Sequence, residues 1–102
     1  WTPTALLRAS TPYESGAFGS SVALGDPWAL ITGYDEQLGK EFNIDRVVYV
    51  FRRRGEGAWD QQTILDLGEV GFGAALALDG STALISSVPE DGAGTAYVIQ
   101  LP

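Results

Sequence analysis

One hundred and two residues, 45% hydrophobic and 19% charged, suffice for one compact domain and are too few for two ordinary ones. Six Lys and Arg against thirteen Asp and Glu leave a net charge of −7, a surface that repels phosphate and so argues against nucleic-acid and anionic-membrane partners. With neither cysteine nor histidine, the chain has no disulfide framework, no thiolate or imidazole metal site and no His-based catalysis.

In chain order, a start at Trp1 with no Met anywhere points to a processed, excised or trimmed polypeptide, and signal-peptide cleavage is one route to it. The first twenty residues lack a basic start followed by an apolar core, and no apolar run approaches the ~18 residues of a membrane span. Helical periodicity is weak throughout. The apolar stretches are short, rich in Val, Ile, Tyr, Phe and Trp, and bounded by Gly, Asp, Pro or Ser, which is the strand signature. Strands are predicted at Thr4–Ala9, Ser20–Leu24 and Trp28–Thr32, the last two separated by the turn Gly25-Asp26-Pro27. After a long connection come Arg46–Arg52, the turn Gly55-Glu56-Gly57 and Trp59–Asp66. Ala74–Leu78 and Thr82–Ser86 flank Asp79-Gly80, the strongest hairpin signal, since Gly supplies positive φ and Asp tolerates it. A final strand, Thr95–Leu101, follows Asp91-Gly92.

The chain repeats itself. Phe18-Gly19-Ser20-Ser21-Val22-Ala23-Leu24 is matched 54 residues later by Phe72-Gly73-Ala74-Ala75-Leu76-Ala77-Leu78, and Ala29-Leu30-Ile31 by Ala83-Leu84-Ile85. After six extra residues in the first copy, Val48-Tyr49-Val50-Phe51 aligns with Ala96-Tyr97-Val98-Ile99. Trp1 with Ala5-Leu6-Leu7 likewise parallels Trp59 with Thr63-Ile64-Leu65. The units are residues 1–58 and 59–102. Four short strands per unit is the spacing of a β-propeller blade, a sheet that buries both faces only by stacking on others. The expected fold is all-β: one outer strand from Trp1–Ala9, a whole four-stranded blade, and three strands of another. Small residues such as Gly19, Ala23 and Ala77 suit a crowded innermost strand.

Phe18-Gly19 through Gly25-Asp26, with Ala29-Leu30-Ile31-Thr32-Gly33, resembles an FG-GAP repeat, the blade of integrin-α-type propellers. The second copy runs from Phe72-Gly73 to Asp79-Gly80 and on through Ala83-Leu84-Ile85-Ser86-Ser87. The bacterial type is the nearer match, with its Val-Tyr-Val-Phe strand and following Trp, as in Val48–Phe51 and Trp59. The resemblance implies a non-enzymatic binding or adhesion scaffold, extracellular or at the cell surface. Many members of that family bind calcium in an Asp-rich hairpin loop. Here Gly25-Asp26-Pro27 and Asp79-Gly80-Ser81 each hold a single carboxylate, too few for a cation that needs six to eight oxygens, so no metal and no cofactor is expected.

Two blades cannot close a ring, and they leave sheet edges and blade faces wet. Either identical chains join head to tail, Trp1–Ala9 of one completing the unfinished blade of the next, or this is part of a longer propeller. Three copies giving six blades is the favoured ring.

The six-residue insertion brings Tyr34, Asp35, Glu36, Glu41 and Asp45 into one long connection over 33–46, the favoured contact surface for a protein or glycan ligand. A solvated connection with Leu38, Phe42 and Ile44 tucked beneath it is the plainer reading. Trp1 and Trp59 recur at equivalent positions and read as structural. Trp28 has Thr82 as counterpart, so the repeat does not require it, and it is a candidate exposed contact. Arg52-Arg53-Arg54 reads as a solvated hairpin tip that discourages edge pairing or as an ion-pair partner. Asp60 and Asp66 stand roughly 20 Å apart along a strand, too far for one acid/base site. A small oligomeric lectin and a purely structural propeller fragment are the alternatives to the adhesion scaffold.

Overall fold

The structure, a computed structural model, describes residues 3–8, 18–34, 46–66, 72–87 and 94–102. The described residues are all-β: β1 (Val22–Gly25), β2 (Trp28–Tyr34), β3 (Arg46–Gly55), β4 (Ala58–Leu65), β5 (Phe72–Asp79), β6 (Thr82–Ser87) and β7 (Thr95–Gln100). They form two antiparallel sheets, a four-stranded one in the order β1-β2-β3-β4 and a three-stranded one in the order β5-β6-β7. The sheets do not close into a barrel.

The two sheets share one register. Val22 faces Ile31 and Ile31 faces Tyr49 in the first; Leu76 faces Ile85 and Ile85 faces Tyr97 in the second. Leu30 opposite Val50 is repeated as Leu84 opposite Val98. Each pair of equivalent residues therefore points to the equivalent face, because strand side chains alternate with period two.

Seven of the eight predicted strands are present. β3 outruns its predicted end at Arg52 and reaches Gly55, because Arg52 and Arg53 stay paired with Asp60 and Trp59 of β4 across a register shift. The exception is Thr4–Ala9. Residues 3–8 carry no strand, since a strand exists only where a neighbour completes its hydrogen-bond ladder, and no described strand pairs with this segment. Leu7 packs on the first sheet all the same.

The centre of the first sheet, β2 and the first half of β3, is buried on both faces. Trp28, Leu30, Val48 and Val50, with Ala23 beside them, form one face and pack on Phe72, Ala83, Ile85 and Leu101 of the second sheet and its C-terminal end. Ala29, Ile31, Val47, Tyr49 and Phe51 form the other face, flanked by Trp59 and Ile64 of β4, with Leu7 and Phe18 packed on it. Full burial of a side chain such as Leu30, Val50 or Ile85 contributes roughly 1.5–3 kcal/mol, so the joint between the sheets stores substantial stability.

Candidate functional site

The sheets meet in a fixed sense. The second sheet contributes Ala83 and Ile85, counterparts of Ala29 and Ile31, so its Tyr97 face lies against the Trp28 face of the first. Opposite faces of the two repeats are in contact. Two hydrogen bonds lock the joint: Thr32 Oγ1 donates to the Gly73 carbonyl at 2.8 Å, and Trp28 Nε1 donates to Ser81 Oγ at 3.2 Å. Leu78 of β5 reaches the β1 edge of the first sheet, where a Cβ on Gly25 would stand 2.8 Å from its own.

This joint corrects the reading of Trp28 as an exposed contact. The ring is 2% exposed, on the face that stacks against the second sheet, with the Arg52 guanidinium 5.4 Å from its centroid. Its counterpart Thr82 is exposed because nothing in the described chain lies over the equivalent face. The Trp/Thr mismatch between the repeats thus marks a covered and an uncovered copy of one face.

The insertion between β2 and β3 springs from the last rung of that hairpin, Tyr34 opposite Arg46. Tyr34 belongs to β2 by its backbone. Asp35, Glu36, Glu41 and Asp45 lie outside the described residues. The arginine run forms ion pairs: Arg53 Nη2 stands 2.6 Å from Asp26 Oδ2, and Arg54 Nε stands 2.9 Å from Asp60 Oδ2. Asp26, the one carboxylate of its hairpin, is therefore engaged across the sheet by a cation. With Arg52, Asp60 and Gln62, Arg53 and Arg54 line a polar recess on the surface. Among the described residues, no group of three or more acidic side chains is placed to hold a metal ion.

The far side of the second sheet is different in kind. Leu84 and Val98 stand exposed on it, and shallow apolar recesses run along it between Ala75, Ala77, Leu84 and Ala96. Such a surface offers nothing for acid/base or metal chemistry and suits docking of another apolar face. Sequence reading located the repeat but not this surface; the signal was available in the period-two pattern, which puts Leu84 and Val98 on the face that Leu30 and Val50 occupy in the first unit.

Comparison with known proteins gives no match, whether to a family model, to a characterised protein or to a solved structure. Among the described residues no helix is long and apolar enough to cross a membrane.

Proposed function

We propose that this chain is a non-enzymatic binding or adhesion scaffold: a β-propeller segment with FG-GAP-like blades, extracellular or at the cell surface. Head-to-tail association of copies, or the remainder of a longer chain, completes it. The observation that carries the reading is the sense of the sheet joint. A Tyr97 face seated on a Trp28 face is a heterologous contact, and a heterologous contact repeats indefinitely or closes into a ring. Face-to-face packing of two like surfaces would have ended the stack at two sheets.

In this reading the stacked sheets are the rigid part, and the connection between β2 and β3 is the part that meets a ligand. The test is binding to a panel of immobilised extracellular-matrix proteins and glycans. Saturable binding to a protein is expected, together with its loss on deletion of Glu36–Asn43 while the sheets and their association persist. Absence of saturable binding, or binding untouched by the deletion, counts against the scaffold. Binding confined to glycans would make the protein a lectin.

A further inference from the structure

The large hydrophobic side chains left exposed among the described residues are Leu6, Val22, Leu24, Leu84 and Val98. The repeat relates each to a residue that the chain covers. Leu84 and Val98, 47% and 73% exposed, correspond to Leu30 and Val50, both fully buried in the joint. Val22 and Leu24, 63% and 72% exposed, correspond to Leu76 and Leu78, which are half-buried against the same joint from the other side. Leu6 corresponds to Ile64 of β4, half-buried on the first sheet. Leu7, beside it, packs on the Tyr49 face of the first sheet just as its counterpart Leu65 packs on the joint in front of the second.

The exposed set therefore divides into two halves of one interface, and the chain already contains that interface once, fully assembled, between its own sheets. One half is the outer face of β6 and β7. The other is the inner strand β1. These halves lie on different sheets, so they cannot satisfy each other within one chain.

We propose that the Leu84–Val98 face of one copy is the docking site for the Val22–Leu24 edge of a second copy, in the geometry of the internal joint, with residues 4–8 of the second copy lying along the open edge of β7. The inference rests on the self-completing reading above and names its contacts. The polar pattern distinguishes the covered face from the open one: Thr32 donates across the internal joint to Gly73, whereas its counterpart Ser86 accepts from the Ala75 N–H within its own sheet at 2.9 Å. Asp79 takes the place of Gly25, and Leu24 that of Leu78, so these two positions face each other across the new joint. A Cβ on Gly25 would stand 2.8 Å from that of Leu78, so Asp79 and Leu24 lie farther apart than that pair, with the Asp79 carboxylate directed to the solvent at the hairpin end.

The experiment uses the full chain in two single variants, Leu84→Glu and Leu24→Glu, with circular dichroism to verify that each keeps its sheets. Both sites are solvent-exposed in the single chain, so folding tolerates the charge, whereas burying an unpaired carboxylate in an apolar joint weakens association by about a hundredfold or more. By light scattering the unsubstituted chain forms closed oligomers at micromolar concentration, each variant alone is monomeric, and an equimolar mixture forms a one-to-one dimer, each partner supplying the half that the other lacks. A second measurement exploits the absence of cysteine: oxidising a mixture of Asp79→Cys and Leu24→Cys chains yields a disulfide-linked heterodimer. Oligomers that survive both charge variants unchanged, with no disulfide, overturn this interface but leave self-completion standing. A monomeric parent chain with no disulfide also overturns it, and the scaffold reading then depends on the ligand panel alone.

Discussion

Thr32 and Gly73 are in contact twice over: the Thr32 hydroxyl donates to the Gly73 carbonyl at 2.8 Å, and a Cβ at position 73 would lie 2.7 Å from that same hydroxyl oxygen. Gly73 also adopts a φ of 79°, a left-handed conformation that side chains resist. The joint between the sheets is thus as close as two backbones with one intervening hydroxyl allow. Gly73→Ala is expected to destabilise the fold by roughly 2 kcal/mol or more, combining backbone strain with overpacking. Gly80→Ala is the control. Its φ of 58° carries the strain, but nothing stands within 4 Å of the added carbon, and its cost is about 1 kcal/mol. Urea midpoints of the two variants check the difference; equal shifts would mean that the joint is looser than this contact requires.

Trp28 is the largest side chain in that joint, and its removal should be among the most damaging single changes. Trp28→Ala is expected to cost about 3–5 kcal/mol, from lost contacts and the cavity left behind. Trp28→Phe retains most of the apolar area and loses the bond to Ser81, a deficit of roughly 1 kcal/mol. Arg52→Gln removes only the cation over the ring, at an exposed site, and costs about 0.5–1 kcal/mol. Thermal melts of the three variants give the order. A mild Trp28→Ala phenotype would place the indole outside the core.

What the sequence made legible follows from what a strand needs. β2, β3, β5, β6 and β7 carry short apolar runs between glycine or aspartate turns, and the hairpin at Asp79-Gly80 closes where those residues predict, with Asp79 opposite Thr82. The repeat was legible to the residue, since both sheets share one register. The predicted strand Thr4–Ala9 has apolar residues like those of β4, but its described residues, 4–8, have no ladder, and composition alone cannot supply a neighbour. Trp28 was misread for a related reason. Its exposure depends on whether a second sheet lies over it, a long-range fact that a break in repeat symmetry hints at but does not state. The acidic residues of the insertion lie outside the described residues, and their role is carried by the proposal alone.

The ion pair of Asp26 with Arg53 joins the first hairpin to the strand that follows it, between side chains 63% and 42% exposed. Solvent screens a pair at this exposure, so Asp26→Asn should change stability by less than about 1 kcal/mol, and the difference should shrink further in molar salt. The Asp26 carboxylate is engaged by Arg53, and the hairpin is expected to hold no calcium ion. EDTA is accordingly expected to leave the melting temperature unchanged; a large drop would reveal a bound cation and reverse that conclusion.

Phe18 and Phe72 hold equivalent places and make equivalent contacts. Phe18 stands edge-on to Tyr49 with ring centroids 5.2 Å apart, and Phe72 edge-on to Tyr97 at 6.0 Å. Their surroundings differ, because Phe72 is fully buried in the joint whereas Phe18 is half-buried on the Tyr49 face of the first sheet. In dilute solution Phe72→Ala should cost about 3–5 kcal/mol. Phe18→Ala should cost less than half as much, since part of its ring remains in water already. If copies dock as proposed, Phe18 enters the new joint as Phe72 sits in the old one, and its substitution should grow more damaging as protein concentration rises. Melting each variant across a hundredfold range of concentration tests this: the Phe18→Ala deficit, relative to the parent chain, widens with concentration, while the Phe72→Ala deficit at the internal joint is already present at the lowest. A Phe18→Ala deficit that stays constant over the whole range would set Phe18 apart from any contact between copies.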